Sequence, residues 1–430
     1  MTDHDHNNLA SRIANLIDSE WLGRRARELG VIERLRKVNL AAMIWSLALG
    51  FKQGARRSFT SLCRRYMEAS RMTLSLSSWR ARFTPDFKRL IRECALHAID
   101  RQHRRVRTSL DLSGIEEVLA LDATVLRLSA SLADKFPATR TNHTEAAAKL
   151  HAVINVHDFK LERVKVCEET RSDQQSYKRI GSWVQGRLLL MDLGYYNFNL
   201  FRRISERGGF FLSRLKVNAN PQIIAEHDQG PGQRRSLIGL GLQEALAGLN
   251  RKEVEVTARF AVRKYAYKGN RSIENRDWRV IAVRNDEDGK YHTYITNLPR
   301  ETLSVTEVEQ MYRQRWQVEI FFKMLKSHGR IHHLETSNKA AVEALIWASV
   351  LTAIASMEVL DAVRAEISGA RRIPALRFQA IFEDLAGHLL DKIVNRLIPK
   401  ARATPFEILI YKALDPNRNR LLHCDYLPFS

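Results

Sequence analysis

The chain has 430 residues and a mass of 49.5 kDa, a length that favours two or three domains over a single core. Hydrophobic residues make up 45% and charged residues 27% of the chain, which excludes a fibrous or largely disordered protein. Because 69 Lys and Arg face 48 Asp and Glu, the net charge is +21, and an excess of this size indicates a polyanionic partner, above all nucleic acid.

The cysteines and the apolar segments favour a protein of the reducing cytosol. The four cysteines are far apart in sequence and form no C-x-x-C pair, so we expect neither a disulfide framework nor a zinc site. The polar N-terminus shows no signal peptide. The apolar run at 344–360 is bracketed by Glu343 and Glu358, and we predict a buried helix there rather than a membrane span.

The first 110 residues are predicted to be helical and to bind DNA. Apolar residues recur at helical spacing over 11–22, 30–49, 58–69 and 85–103. This region holds 22 Lys and Arg against 10 Asp and Glu, a net charge of +12. Solvated helix faces are the alternative, but such faces usually mix both signs, so we favour a basic DNA-binding domain over 1–110. The excess comes mostly from Arg56, Arg57, Arg64, Arg65, Arg80, Arg82 and the arginines of 101–107.

From residue 115 the pattern changes to short β-rich segments that alternate with helices. Three consecutive strands are followed by a helix, a strand, a helix and a strand, an order that predicts a mixed α/β sheet with helices on its faces. We assign this core to 111–217 and 298–339. The predicted strands are 116–128, 149–156, 162–167, 187–192 and 209–215, and the predicted helices are 172–180 and 197–206.

The segment 218–297 is predicted to be a β-rich insertion in this core. Period-two alternation and β-branched residues indicate strands at 252–264, 278–283 and 291–295. Basic and aromatic residues are interleaved near its middle, where they suit contacts to a DNA backbone and stacking on bases, or form an ordinary exposed hairpin. They are Lys264, Tyr265, Tyr267, Lys268 and Arg271.

A single long helix is predicted from about Val305 to Lys326, ending near Gly329. Ser304 followed by Glu307 is a capping-box pattern. At about 100° per residue, five polar residues of this helix, one acid and four possible partners, lie within an arc of about 80° around the helix axis. The alternative is a ladder of ion pairs four residues apart that serves solubility. The five residues are Tyr312, Arg315, Glu319, Lys323 and Lys326.

Further helices are predicted over 340–430. The pair His332 and His333, with His328 nearby, lacks the third-ligand spacing of a metal site. We assign this pair to a solvated loop beyond the long helix.

Two more acids stand in apolar surroundings. Asp122 lies within an apolar strand, and Asp192 ends the run 188–191. A carboxylate in such a strand is costly unless it is paired or binds a metal, and the carboxyl ends of strands are where open α/β sheets bind ligands. If Asp122, Asp192 and Glu319 converge, they form a site for two divalent cations, which can drive an in-line phosphodiester displacement.

These residues resemble the motifs of the bacterial insertion-sequence transposases of the Asp-Asp-Glu (DDE) type, specifically the insertion-sequence family numbered four. The family signature Tyr-x2-Arg-x3-Glu-x6-Lys is present over 312–326, Asp-x-Thr over 122–124, and Asp-x-Gly-Tyr over 192–195. The three motifs occur in the family's order, with a β-rich insertion before the Glu. The resemblance covers about 115–330, whereas the terminal regions match only in helical character.

The resemblance implies a ribonuclease-H-like catalytic core and cut-and-paste transposition on terminal inverted repeats. It implies two Mg²⁺ ions, replaceable by Mn²⁺. By this analogy Asp122, Asp192 and Glu319 are the catalytic residues and the metal ligands. A ribonuclease-H-like nuclease that cleaves without joining, or an inactive DNA-binding derivative, remains an alternative.

The resemblance also implies the partners. Tyr312, Arg315 and Lys326 would hold the DNA backbone next to the scissile bond, and helix geometry adds Lys323. The partners would be double-stranded DNA, as transposon ends and as target, and a second copy of the chain in a homodimer on DNA. The expected location is the prokaryotic cytoplasm, at the nucleoid.

Members of this family can form a DNA hairpin and flip a base onto an aromatic residue of the insertion. The candidates here are Trp278, Tyr291 and Tyr294, and the sequence does not choose among them.

Overall fold

The computed structural model describes residues 3–32, 38–51, 58–103, 114–139, 144–177, 180–227, 236–264, 272–329, 338–366 and 373–398, with 404 and 408. Of the features expected from the sequence, the arginines at 56, 57 and 104–107 lie outside these ranges. The same holds for the basic and aromatic positions 265–271 and for His332 and His333.

The N-terminal region is helical, as predicted. Two boundaries are wrong. The helix expected over 11–22 is two helices, because the Asp18 carboxylate accepts a hydrogen bond from the Trp21 backbone N–H and starts a new helix. Asn39 likewise caps a helix that begins only at residue 40. The helices are α1 (Asp3–Ala14), α2 (Ser19–Glu28), α3 (Leu40–Leu49), α4 (Phe59–Ser70), α5 (Leu76–Arg80) and α6 (Pro85–His103).

A nine-stranded mixed sheet, in the order β3-β2-β1-β4-β5-β9-β8-β7-β6, forms the centre of the described structure. The first three strands are antiparallel, β4 is parallel to β1, and β5 is parallel to β4. This order confirms the predicted mixed α/β, ribonuclease-H-like fold. The strands are β1 (Glu117–Leu128), β2 (Ala146–Asn155), β3 (Leu161–Glu168), β4 (Arg187–Met191), β5 (Phe210–Arg214), β6 (Gln222–Glu226), β7 (Glu253–Arg263), β8 (Ile273–Arg284) and β9 (Tyr291–Thr296).

The β-rich segment 218–297 adds four strands to this sheet. Its last strand, β9, pairs antiparallel with β5 of the core, with Ser213 opposite Ile295. The strand β6 was not predicted.

Three short helices connect strands of the sheet: α7 (Asp173–Ser176), α8 (Phe198–Ser205) and α9 (Leu242–Leu246). The helix expected over 172–180 is therefore shorter than predicted.

Helices from both ends of the chain cover one face of the sheet, here called the first face. The N-terminal helices and the last three helices share one apolar cluster with β1 residues such as Ala120 and Leu126. A second cluster, around Leu121 and Met191, lies on the opposite or second face. The last four helices are α10 (Val305–Arg313), α11 (Trp316–Gly329), α12 (Lys339–Ala365) and α13 (Ala375–Leu397).

The helix α12 is long and apolar enough to cross a membrane by length and composition, but 94% of its most apolar window is buried inside the protein. The predicted buried helix over 344–360 is confirmed.

The single helix predicted over 305–326 is wrong, because it breaks at Gln314 and Arg315. The Gln314 and Arg315 N–H groups donate three residues back, to the carbonyls of Met311 and Tyr312, which tightens the chain into a turn. The capping box of Ser304 and Glu307 is confirmed. Arg315 at the break is ion-paired with Asp122 of β1, a tertiary contact that helical periodicity does not reveal.

Candidate active site

Asp122 and Asp192 each come directly after the last residue at which the parallel strands β1 and β4 pair with one another. Leu121 of β1 lies opposite Met191 of β4, so Asp122 and Asp192 are adjacent across a strand spacing of about 4.8 Å. Successive side chains of a strand alternate between faces. Because Leu121 and Met191 pack on the second face, both aspartates belong to the first face.

The guanidinium of Arg315 bridges two of the three predicted acids. Its Nη1 donates to Asp122 Oδ2 at 2.9 Å, and its Nη2 donates to Glu319 Oε1 at 2.8 Å. The side chains of Asp122, Arg315 and Glu319 are 18%, 16% and 27% exposed, so the cluster is shielded but open to a ligand. The Nε of Arg315 is buried and has no hydrogen-bond partner among the described residues.

The neighbouring charges act on Asp122. Its pKa is raised to about 6, with burial as the largest cause; the Ala123 N–H and the charge of Arg315 oppose the rise, and the charges of Asp192 and Glu319 add to it. Burial lowers the pKa of Arg315, but its hydrogen bond to Glu319 and the charge of Asp122 outweigh burial and raise the pKa. Because a nearby positive charge favours the ionised form of a carboxylate, a raised pKa at Asp122 favours the binding of a further cation.

The three carboxylates fit a divalent ion by chemistry, since Mg²⁺ and Mn²⁺ prefer oxygen ligands. In the described ranges, however, no group of three or more His, Cys, Asp or Glu side chains is placed to hold a metal ion. Arg315 lies between Asp122 and Glu319. The acids can close around a metal only after this guanidinium has left.

Tyr312, predicted to contact DNA, lies in the core. It is 9% exposed, and its hydroxyl donates to the Met191 carbonyl at 3.4 Å, next to Asp192. Burial raises the pKa of Tyr312 to about 12. Its hydroxyl reaches a phosphate only by giving up the Met191 carbonyl.

The two lysines of α11 that are predicted to contact DNA, Lys323 and Lys326, differ in exposure. Lys323 is exposed, and its Nζ lies 5.0 Å from the centre of the Trp316 ring. Lys326 is half-buried, and burial, together with the charge of Arg127, lowers its pKa. Arg127 itself already has a carboxylate partner, since its Nη1 lies 3.2 Å from Glu169 Oε2.

Sequence reasoning missed Trp316, whose side chain is 50% exposed beside Arg315. The sequence does not indicate that Trp316 is exposed. Its only distinguishing feature there is that it follows Arg315 of the family signature. The aromatic residues chosen from the insertion are less accessible. Trp278 and Tyr294 are 5% and 3% exposed in the core, and the Tyr291 hydroxyl donates to the Arg251 carbonyl.

The basic residues of the N-terminal region divide into two groups. Arg64 and Arg80 are exposed. Arg65 instead packs against α13, where its Nη2 donates to the Gly387 carbonyl at 2.7 Å and lies 3.0 Å from Asp391. Part of the predicted basic surface therefore serves contacts between helices.

Comparisons with known proteins identify the family. Two curated relatives from Bacillus thuringiensis are similar over most of the chain. The transposase for insertion sequence element IS231B (subspecies berliner) is 22% identical over 371 residues, 77% of this chain and 75% of the relative. The transposase for element IS231D (subspecies finitimus) is 20% identical over 400 residues, 84% and 81% of the two chains.

A cryo-EM structure of a piggyBac transposase synaptic complex with hairpin DNA matches with a TM-score of 0.49 at 11% identity, covering 97% of this chain and 85% of that one. The model of the family described as "Transposase DDE domain" matches residues 113–355, more than half of the chain and the whole span from Asp122 to Glu319. The chain therefore belongs to this family and is a bacterial insertion-sequence DDE transposase.

Proposed function

We propose that this transposase binds the terminal inverted repeats of an insertion sequence, cleaves the DNA at the ends of the element and joins the freed 3′ ends to target DNA. The supporting observation is the pairing of β1 with β4 up to Leu121 and Met191. It sets Asp122 beside Asp192 on the face over which Glu319 and Arg315 lie.

DDE transposases generally use divalent metal ions. In our proposal, Asp122, Asp192 and Glu319 hold two Mg²⁺ or Mn²⁺ ions. When bound, the ions supply positive charge that favours attack on the phosphodiester and departure of its leaving oxygen. The chain contributes three carboxylates held by two strands and a helix, shielded enough from water to strengthen their interaction with cations.

Arg315 exchanges partners in this scheme. Its planar guanidinium can bind phosphate oxygens as a fork, as it binds carboxylates now, and its Nε has no partner among the described residues. Transfer of Arg315 to the DNA backbone would release Asp122 and Glu319 for the metal ions. Lys323 and Lys326 extend this cationic edge along α11, and Tyr312 joins it if its hydroxyl leaves Met191.

The basic helices of residues 1–110 are proposed to supply end recognition. Their net charge of +12 suits the phosphate backbone, which dominates non-specific affinity for DNA. Two ends must be processed together, so we propose a homodimer on DNA, acting in the bacterial cytoplasm at the nucleoid.

The test uses the full chain and DNA that carries the ends of the element. Asp122→Asn, Asp192→Asn and Glu319→Gln should keep end binding and lose strand cleavage by roughly 10³-fold or more with Mg²⁺ or Mn²⁺. Glu309→Gln is the matched control, because Glu309 is paired with Arg313 on α10 and should leave cleavage unchanged. A variant of the three that cuts at the normal rate removes that residue from the site.

Strand joining separates the proposed activity from its rival. Incubation of pre-cut ends with a target plasmid should give covalently joined products. Cleavage without any joined product would instead favour a nuclease.

A further inference from the structure

A buried histidine lies directly behind the candidate site. His151 is on β2, opposite Ala123 of β1, and is 0% exposed. Its neighbours Leu150 and Ala152 pack on the first face, so alternation directs the His151 side chain to the second face, away from the three acids.

His151 joins two separate segments by hydrogen bonds. Its Nδ1 lies 2.5 Å from the hydroxyl of Tyr195. Its Nε2 lies 2.8 Å from the Ser176 hydroxyl and 3.5 Å from the sulfur of Cys167. Tyr195 belongs to the turn after β4, and Ser176 ends α7.

The protonation states of His151 and Tyr195 show that both groups are neutral in this contact. Burial lowers the pKa of His151 to about 4 and raises the pKa of Tyr195, so a neutral imidazole faces a protonated phenol. A neutral imidazole has one N–H and one acceptor nitrogen, and each hydroxyl can donate or accept, so either tautomer bonds to both Tyr195 and Ser176. Both ring nitrogens of the buried imidazole are thereby satisfied.

The turn held by Tyr195 is the one that begins at Asp192. Residues Leu193–Tyr195 form a single 3₁₀ turn, closed by the Tyr195 N–H, which donates to the Asp192 carbonyl at 3.0 Å. Tyr195 is fully buried. The place of its ring is therefore tied to the backbone that carries the Asp192 side chain.

A second contact from β2 supports the same turn. The Lys149 ammonium lies 3.0 Å from Asp173 Oδ1. The other oxygen, Asp173 Oδ2, is so close to Gly194 that a Cβ there would lie 2.6 Å from it. The Asp173 carboxylate, paired with Lys149 of β2, therefore lies against the turn that follows Asp192.

We infer that His151 is a positioning residue, which fixes the turn of Asp192 through Tyr195 and thereby sets the place of a metal-binding carboxylate from behind the sheet. The inference rests on the proposed role of Asp192 as a metal ligand. Groups that orient ligands in this way typically change metal affinity or activity by about 10–100-fold when they are replaced.

The experiment measures metal binding and cleavage separately. Mn²⁺ binding to the full chain in complex with pre-cut DNA ends is followed by calorimetry, and single-turnover cleavage of uncut ends is followed against Mn²⁺ concentration. Tyr195→Phe and His151→Ala should weaken Mn²⁺ binding and raise the half-saturating concentration by about 10–100-fold, with unchanged affinity for DNA ends. Tyr177→Phe is the control, because Tyr177 is buried beside the His151 ring and makes no hydrogen bond to it.

Two amide variants identify which nitrogen matters. The side-chain amide of Asn overlaps the Nδ1 position of histidine, and that of Gln overlaps the Nε2 position. His151→Asn should therefore restore much of the Mn²⁺ binding that His151→Ala loses, and His151→Gln should restore less. Tyr195→Phe combined with His151→Asn should be no worse than Tyr195→Phe alone.

The outcomes separate the inference from the proposed function. If Asp192→Asn binds Mn²⁺ and cleaves normally, the proposed role of Asp192 fails. If Asp192→Asn loses both while Tyr195→Phe and His151→Ala behave like Tyr177→Phe, only the positioning role is overturned. Restoration by Gln rather than Asn would overturn the route through Tyr195. Tyr195→Phe keeps the ring packing, so it decides the question even if His151→Ala does not fold.

Discussion

Arg315 donates a hydrogen bond to Asp122 at 2.9 Å, although 193 residues separate them in the chain. The same guanidinium holds Glu319. Without DNA, this arginine supplies the positive charge that two crowded carboxylates require. In our proposal it makes way for metal ions when a phosphate backbone offers it a better partner, so substrate binding and metal binding favour one another.

Replacement of Arg315 should alter the salt dependence of DNA binding. Arg315→Gln should weaken binding to DNA ends and reduce the slope of log affinity against log salt by about 0.9, the value of one phosphate contact. Fluorescence anisotropy over a salt series measures the slope. Arg313→Gln removes the same charge, but Arg313 is 72% exposed and paired with Glu309, so its slope should not change. An unchanged slope for Arg315→Gln would support a purely internal ion-pair ladder.

The raised pKa of Asp122 predicts a pH-dependent stability in the presence of a chelator. Burial raises this pKa from 3.8 to about 6, so the folded state holds the proton more tightly than the unfolded chain. The stability from this group is therefore lost as pH rises from about 4 to about 6. Relative to the wild type, Asp122→Asn should gain up to about 3 kcal/mol in free energy of unfolding between about pH 4 and pH 7.

Urea denaturation along a pH series measures this difference. Asp277→Asn is the control with the opposite sign, because the hydrogen bond from Arg259 lowers the pKa of Asp277. The stability that Asp277 contributes is present above its unfolded pKa and is lost as pH falls. If the free energies of unfolding of Asp122→Asn and Asp277→Asn, each relative to the wild type, change in the same direction with pH, the opposite pKa shifts assigned to the two aspartates are wrong.

A buried ion pair between β7 and β8 should contribute to stability far more than an exposed pair on the same strands. Arg279 Nε donates to Glu255 at 2.7 Å, with both side chains 6% exposed, and Nη2 donates to the Leu303 carbonyl. Arg279→Ala leaves the buried Glu255 carboxylate with Arg300 as a remaining partner and should cost about 1–3 kcal/mol in free energy of unfolding. Arg259→Ala, which breaks the exposed pair with Asp277, should cost little. Equal losses in chemical denaturation would contradict the distinction.

The exposed indole of Trp316 should stack on a base that has left the duplex. Its ring lies beside Arg315 with the Lys323 ammonium above it. Trp316→Ala should weaken binding to DNA ends with unpaired terminal bases by about 1–3 kcal/mol, with a smaller effect on fully paired ends, and Trp316→Phe should retain most of the affinity. Ile381→Ala, at a 52% exposed residue of α13, is the control. Equal effects on both kinds of end would argue against stacking.

The sequence predicts the sheet well where its signal is local. The apolar runs of β1 and β4 are buried, and each acid interrupts or ends such a run, so both the strands and the two aspartates are visible in the sequence. The pairing of Leu121 with Met191 is not visible, because register depends on contacts across 70 residues of chain. The placement of Asp122 beside Asp192 could therefore be expected only through the family resemblance.

Tertiary contacts account for the features that sequence reasoning missed. The break at Gln314 and Arg315 leaves the apolar spacing of the signature segment almost intact, so periodicity predicts one helix. A lone histidine in the strand Lys149-Leu150-His151 likewise gives no local hint of its hydrogen bond to Tyr195, 44 residues later. In both cases the decisive partner lies on another element.

The shared apolar cluster of the terminal helices limits which fragments of this protein can exist. Helices α3 and α6 bury their apolar sides against α13 and α12, so the end of the chain completes the core of its beginning. A product shortened to residues 1–338 would expose both surfaces to water. Such a fragment should aggregate or be degraded. It should therefore not compete with the full chain for transposon ends, so a truncated gene should be a poor source of a repressor. Limited proteolysis of the expressed fragment tests this.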